Sequence, residues 1–293
     1  MASLLDTKRR IKSIKSTRQI TKAMEKISAI KMKKSQAATL RSRRYASLAW
    51  EMLESLGGDA QVSAHPLWEQ RETVRAVGMV VISTDRGLCG GLNAKLSQSV
   101  IAACAERNIP PAEVKVYAVG KKCREILMRL GFSVQADFGA VPAFPDAAFA
   151  RNVIQTVVED YQRGVIDKVF AAYTDFINTL SQKPVVHQLL PLSRTDVKND
   201  SLPQQAVTKY VFEPSVRDVL HHLITRILES RMYQNMLEGS ASEHSARMVA
   251  MKNATDNASD LVNELTLIYN QARQASITRE IAEISAGRIA LEG

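Results

Sequence analysis

The chain has 293 residues, a net charge of +9 and only 5% aromatic side chains. This length allows one or two domains with a real core, and a composition rich in Ala, Leu, Lys and Glu favours helices. No apolar run approaches the roughly 20 residues that span a bilayer, and the N-terminus lacks the apolar stretch of a secretory signal. Three scattered cysteines exclude a disulfide framework and a zinc cluster, which indicates a reducing compartment.

The positive charge is concentrated at the N-terminus. The first fifty residues hold fourteen Lys or Arg against two acidic residues, so this segment alone carries +12. Charge that is confined to one segment indicates an acidic partner there, which could be nucleic acid, anionic lipid or an acidic protein surface.

Residues 1–57 predict a single long helix, because they contain no proline and no glycine before Gly57. Small or apolar side chains recur at spacings near three and four, at Ile11, Ile14, Thr17, Thr21, Met24, Ile27, Leu48 and Met52. Such a narrow stripe is typical of the seam of a coiled coil rather than of a helix that faces a broad core.

Residues 74–213 predict a central α/β domain. Apolar, β-branched runs predict strands at 77–83, 114–119 and 168–174, and helices are expected between them at 92–107, 121–130 and 145–163. Strands that alternate with helices predict a mostly parallel sheet covered on both faces, as in a Rossmann-like fold. Two further strands are expected at 184–192 and 208–212, where they could form an antiparallel edge.

Residues 214–293 predict a second long helix, which begins at Pro214. Its expected seam follows a heptad pattern through Ala254, Ala258, Leu261, Leu265, Ile268, Ala272, Ala275, Arg279, Ala282, Ala286 and Ile289. We expect this helix to pair with residues 1–57 as an antiparallel coiled coil, a shaft with the α/β domain at one end. The N-terminal end of the first helix should lie opposite about residue 266 of its partner. This shape suits the transmission of force rather than chemistry.

Four segments, spread from end to end, resemble the gamma subunit family of F-type ATP synthases. They read RIKSIKSTRQITKAMEKIS at 10–28, STDRGLCGGLN at 83–93, SEHSARMVAMKNATDNA at 242–258 and YNQARQASITREIAE at 269–283. The chain departs from the family pattern just after the last segment, because Arg288 follows Gly287 where the family usually has alanine.

The resemblance implies a non-catalytic central-stalk rotor without a cofactor or a metal. It would turn inside a ring of three alpha and three beta subunits and couple ion flow through the membrane c-ring to ATP synthesis or hydrolysis on beta, with the epsilon subunit as a further partner. The implied contacts with the ring are Lys8, Arg9, Lys22, Met24, Arg273 and Gln274, and those with the c-ring are Tyr210 and Glu213. The implied location is the cytoplasmic face of a bacterial inner membrane, as a peripheral protein without a span of its own.

The C-terminal tip carries a prediction from its residues alone. Beyond residue 266 a single helix in water should be polar all round, but Ile277, Ile281 and Ile284 form one apolar stripe and the alanine seam forms another. Apolar groups on more than one side indicate that a partner surrounds the tip.

The charge distribution and the predicted fold are compatible with two other functions. A nucleic-acid-binding coiled coil would use the basic arm, but it should also show aromatic or Arg clusters able to stack on bases, and none is evident. A nucleotide-dependent enzyme would use the glycine-rich segment at 85–91, but that segment is neither G-x-G-x-x-G nor a Walker loop. The basic N-terminus also resembles an organelle transit peptide, but the first matching segment begins too early to leave room for one. The five histidines show no metal-ligand spacing.

Overall fold

A computed structural model describes the backbone of residues 4–56, 66–68, 71, 73–142, 144–192 and 216–292. Side chains are described within the same ranges, except for those of residues 43–56, 216–221 and 289–292. The chain divides into two compact units: Met1–Ser28 with Met248–Gly293 form the first unit, and Ala29–Arg247 form the second.

Both predicted terminal helices are present. Helix α1 covers Leu4–Leu56 and the last helix, α5, covers Val216–Glu292. Neither contains a proline, and α5 continues through Gly239 and Gly287 because its many Ala, Leu, Glu and Arg residues compensate for the lower helix propensity of glycine. Within the described residues, no helix is both long and apolar enough to span a membrane.

The second unit contains a five-stranded sheet, as the alternation of strands and helices predicts. Its strands are β1 (Val77–Ile82), β2 (Val114–Val119), β3 (Ser133–Asp137), β4 (Lys168–Phe176) and β5 (Gln182–Leu190). They lie in the order β3-β2-β1-β4-β5. The first four strands are parallel and β5 is antiparallel to β4, so the prediction of a mostly parallel sheet with an antiparallel edge is confirmed.

Helices cover both faces of this sheet. They are α2 (Leu92–Glu106), α3 (Lys121–Arg129) and α4 (Ala147–Gln162), and a short 3-10 turn at Pro111–Glu113 precedes β2. Val77, Met79 and Val81 of β1 are buried together with α2 and α3. Val80 and Ile82 point the other way and are buried together with α4 and the first part of α5. Alternate residues of one strand thus supply two cores, which explains why β1 is apolar throughout.

One strand of the sheet was not predicted from the sequence. Strand β3 has the sequence SVQAD, in which no residue is fully buried, so it lacks the apolar run by which the other parallel strands are recognised. It is an edge strand in which exposed polar side chains alternate with half-buried Val134 and Ala136, and exposed polar side chains suit that position. The expected strand at 208–212 lies outside the described residues.

The first unit contains an antiparallel helix pair, residues 4–28 of α1 with 248–288 of α5. The hydroxyl groups of Thr21 and Thr255 lie 2.8 Å apart, which fixes the register. Because both helices rise equally per residue, Leu4 lies opposite about residue 272. The first helix therefore runs about six residues further along its partner than the expected end near residue 266.

The seam of this helix pair differs in detail from the prediction. Its buried side chains are Thr7, Thr21 and Ser28 on α1 and Met251, Ala258 and Val262 on α5. Nine predicted seam positions are instead exposed: Ile27, Leu261 and Ile268 at 53%, 42% and 45%, and Thr17, Ala272, Ala275, Arg279, Ala282 and Ala286. The buried seam positions of α1 are occupied by small hydroxyl residues. Helices can approach closely where the side chains at the contact are small. The larger Ile27 and Ile268 lie outside the seam.

Candidate partner-binding surface

The basic residues predicted as partner contacts are exposed on the helix pair. Lys8, Arg9 and Lys22 all project from α1 into solvent. Arg9 Nη1 lies 3.9 Å from Asp6 Oδ1, and the two side chains are 80% and 57% exposed. An exposed ion pair of this kind contributes only ~0–1 kcal/mol, so the charge of Arg9 remains available to an acidic partner.

Met24 occupies an intermediate position. Its side chain is half-buried beside the seam, between Thr21 and Ser28, which are buried in it. A thioether side chain is flexible, polarizable and uncharged, so it can contact changing surroundings without strong directional bonds.

The tip segment, residues 273–288, extends past the end of α1. Arg273 and Gln274 are exposed, and Ile277, Ile281 and Ile284 are 47%, 60% and 73% exposed. Their spacing of four and three residues places the isoleucines on one side of the helix. Three large apolar side chains in a row on a solvated helix indicate a partner surface.

The glycine-rich turn, residues 85–91, lies in the second unit at the carboxyl end of β1. Leu88 adopts a left-handed conformation with φ of 64°. The turn is stabilised from within, because Thr84 Oγ1 donates a hydrogen bond of 2.8 Å to the carbonyl of Arg86 and Asn93 Nδ2 donates one of 2.8 Å to Thr84 Oγ1. These contacts support the prediction of a tight structural turn that joins strand to helix.

Helix α5 holds this turn through Arg247. The Arg247 guanidinium is 2.7 Å from Glu243 Oε1 and donates from Nη2 to the carbonyls of Arg86 and Gly87, both at 3.3 Å. Burial raises the pKa of Glu243, while the charge of Arg247 opposes that rise. In this turn two carbonyl oxygens accept hydrogen bonds from a protein cation. A phosphate-binding loop does the opposite, because it directs backbone N–H groups at the anion.

His187, which is half-buried, and His244, which is buried, are both neutral at physiological pH. Burial lowers the pKa of His187 to about 3, with Arg231 adding to the effect, and burial with the charges of Arg247 and Lys31 lowers that of His244 to about 4. His187 packs edge-on against Tyr173, with ring centroids 5.6 Å apart. No cluster of His, Cys, Asp or Glu suited to a metal ion occurs among the described residues.

Sequence reasoning missed two polar clasps of the second unit. The first is the Glu243–Arg247 pair, which the i, i+4 spacing of opposite charges on a helix could have indicated. The second joins Asp167, at the start of β4, to the segment before β1: Asp167 Oδ1 is 2.7 Å from Arg71 Nη1, and Oδ2 accepts from the amides of Arg75 and Ala76. Residues this far apart in sequence give no local signal.

The remaining predicted contacts, Tyr210 and Glu213, lie outside the described residues. The structure therefore gathers Lys8, Arg9, Lys22, Met24 and the five predicted tip residues in the first unit, and it says nothing of the two expected at the c-ring.

Comparison with known proteins places the chain in a family. A family model described as ATP synthase matches residues 3–291. The ATP synthase gamma chain of Pasteurella multocida is 41% identical over 292 residues, which cover 99% of this chain and 100% of the relative. That of Pelotomaculum thermopropionicum is 42% identical and covers 100% of both chains.

Solved structures agree on the fold. A chain from the central stalk and c-ring of Tetrahymena thermophila mitochondrial ATP synthase superposes with a TM-score of 0.61 at 24% identity, covering 80% of this chain and 99% of that one. A chain from Euglena gracilis mitochondrial ATP synthase in rotational state 3 gives 0.66 at 18% identity, covering 98% and 94%.

Proposed function

The chain belongs to the ATP synthase gamma chain family, and from that membership we propose that it is the central rotor of a rotary ATP synthase. It turns within a ring of three alpha and three beta subunits and couples ion flow through the membrane c-ring to ATP synthesis or hydrolysis on the beta subunits. The observation that carries this proposal is the similarity along the full length: more than 40% identity with gamma chains, over 99–100% of both sequences.

The chain itself is a non-catalytic subunit. The carbonyls of Arg86 and Gly87 in its glycine-rich turn accept hydrogen bonds from Arg247, and its histidines at 187 and 244 are neutral. Its contribution to catalysis is mechanical, since it determines which conformation each beta subunit adopts.

The helix pair and the tip segment are the proposed contacts with the ring. Lys8, Arg9 and Lys22 supply positive charge toward acidic segments of beta, and weak exposed pairs suit a contact that must slide. Arg273 and Gln274 form a polar contact with beta, and Ile277, Ile281 and Ile284 form an apolar bearing that lacks directional bonds.

Coupling requires that the helix pair interact differently with each beta subunit. Its circumference is not uniform: it presents cations on α1 and isoleucines on one side of the tip. Rotation therefore brings different side chains to each beta subunit, and a ligand shifts a conformational equilibrium only by its differential interaction free energy with the two states. The shaft supplies that difference to each catalytic site in turn.

The other end of the coupling path involves the membrane sector. Tyr210 and Glu213 are proposed to contact the c-ring, and the epsilon subunit binds beside them. The chain is proposed to work at the cytoplasmic face of a bacterial inner membrane as a peripheral subunit.

Reconstitution tests this function. Alpha and beta subunits are combined with the full chain or with a variant that lacks residues 277–293, and ATP hydrolysis, thermal unfolding of the complex and torque are measured. We expect the full chain to enter the complex and accelerate hydrolysis, and the truncated chain to give a less stable complex with lower torque. A chain that fails to bind the ring, or that hydrolyses ATP alone, contradicts the proposal.

A further inference from the structure

A small polar cavity lies inside the second unit, where β1 and β4 end side by side. These neighbouring parallel strands are connected to helices on opposite faces of the sheet, α2 after β1 and α4 before β4. In open α/β sheets such a switch point is where ligands bind. Here α5 occupies the position: a side chain added at Gly239 would place its Cβ 3.4 Å from Ile82 Cγ2.

The cavity has room for one water molecule. Its volume is about 10 Å³, and its lining includes Ser83 after β1, Thr174 of β4, and Ser240 and Glu243 of α5. A space of roughly 10–15 Å³ is the minimum for a single water, and a buried water needs two to four polar partners. A nucleotide or another metabolite is far too large for it.

One of the lining groups lacks a partner. Thr174 is 4% exposed, and its Oγ1 makes no hydrogen bond with any described residue. A buried hydroxyl without a partner loses its hydrogen bonds to water on folding, and such groups are rare in native proteins. The position of Thr174 on the cavity wall therefore indicates that its partner lies within the cavity.

Other groups that line the cavity can form further hydrogen bonds. Ser83 Oγ accepts a hydrogen bond from the amide of Cys123, and a hydroxyl oxygen can accept a second one. Glu243 Oε1 is paired with Arg247, and a carboxylate can accept several hydrogen bonds on its two oxygens. Donors and acceptors thus surround the space on both its strand and its helix sides.

We propose that this cavity is a binding site for a single ordered water molecule, which hydrogen-bonds to Thr174 Oγ1 and joins β4 to α5 at the switch point of the sheet. The water accepts a hydrogen bond from the Thr174 hydroxyl and donates one to the carboxylate of Glu243. A bridging water is nearly as favourable as a direct hydrogen bond. The position where such a fold would bind a ligand therefore serves here to attach α5 to the sheet. This inference is independent of the proposed rotor function.

The sign of a stability change tests the proposal. Thr174→Val replaces the hydroxyl by a methyl group of similar shape in the full chain. If the hydroxyl holds a water, the substitution leaves that water with fewer partners, and we expect the melting temperature to fall by roughly 2–4 °C. If the hydroxyl is unsatisfied in a dry cavity, its removal is neutral or stabilising, so an unchanged or higher melting temperature overturns the proposal.

Density at high resolution provides the second measurement and remains decisive if Thr174→Val does not fold. We expect one peak within about 3 Å of Thr174 Oγ1 in the wild-type chain and in the control Thr174→Ser, which keeps the hydroxyl. The peak should be absent from Thr174→Val. No peak in the wild-type chain overturns the proposal.

Discussion

The tip segment offers the sharpest test of how the chain meets its ring. We consider a triple substitution of Ile277, Ile281 and Ile284 by glutamine, which removes the apolar stripe but keeps a good helix former at each position. These side chains are 47%, 60% and 73% exposed. Their exposed fractions amount to a little under two whole isoleucines, whose burial at roughly 1.5–3 kcal/mol each would contribute about 3–5 kcal/mol.

This magnitude predicts a large loss of affinity without a loss of folding. Since each 1.4 kcal/mol is tenfold, 3–5 kcal/mol corresponds to about two to four orders of magnitude in the dissociation constant of the chain from the alpha–beta ring. The isolated triple variant should keep the circular dichroism and melting temperature of the wild-type chain, because the substituted side chains are largely solvated before assembly.

The assay is a titration of the ring with the chain, followed by ATP hydrolysis. The control variant, Glu280→Gln with Glu283→Gln, alters exposed polar positions of the same segment and should bind within a few-fold of wild type, since exposed charges contribute little. If the triple variant binds as tightly as the control, the isoleucines are not buried by the ring and the reasoning from their exposure is wrong.

Three other predictions concern separate parts of the chain. Asp167→Asn should lower the free energy of unfolding at pH 7 by about 2–3 kcal/mol, because it removes a charged acceptor of the Arg71 clasp. Burial alone would raise the pKa of Asp167, but the hydrogen bonds from Arg71, Arg75 and Ala76 hold it below its usual value. The contribution is therefore present above about pH 4 and lost as the pH falls through the folded-state pKa, so urea titrations should show the gap to Asp167→Asn narrowing in acid; a gap that stays constant or widens as the pH falls below 4 contradicts this. The isolated chain should not bind ATP in equilibrium dialysis, since α5 fills the ligand crevice of the sheet, and micromolar binding would refute this. Met24→Lys should lower the number of ions pumped per ATP by the assembled enzyme, because a new cation beside the seam meets acidic partners unevenly during rotation; Met24→Leu is the uncharged control, and equal pumping by both variants would disprove it.

The fold could be predicted closely where one physical pattern dominates. Strand β1 is buried on both faces and reads as a continuous apolar run, and α1 contains no helix breaker over its 53 residues. Strand β3 could not be found in this way, because it lies at the edge of the sheet, where exposed polar residues alternate with half-buried Val134 and Ala136. The seam was misplaced at Ile27 and Ile268 because hydrophobicity alone favours isoleucine, whereas the closely packed positions are held by small hydroxyl residues such as Thr21 and Ser28.

The partner contacts were predicted on other grounds and remain predictions. Arg9, Met24 and Gln274 were inferred from resemblance to a family, and the isoleucines of the tip from the mismatch between an apolar stripe and a solvated helix. The clasps that stabilise the second unit were not accessible, because Asp167 meets Arg71 only after the sheet has formed. Polar pairs between residues far apart in the chain produce no periodic pattern in the sequence from which they could be predicted.

Rotation of the chain within its ring is the most direct test of the central claim. The ring is fixed to a surface through the alpha or beta subunits, and a bead is attached to a cysteine introduced at an exposed position of the second unit, such as Lys183. The three native cysteines are buried and should not compete for the label. The account predicts continuous rotation of the bead in one direction when ATP is added, and none without it. A bead that stays fixed while the same complexes hydrolyse ATP would contradict the assignment of this chain as the rotor.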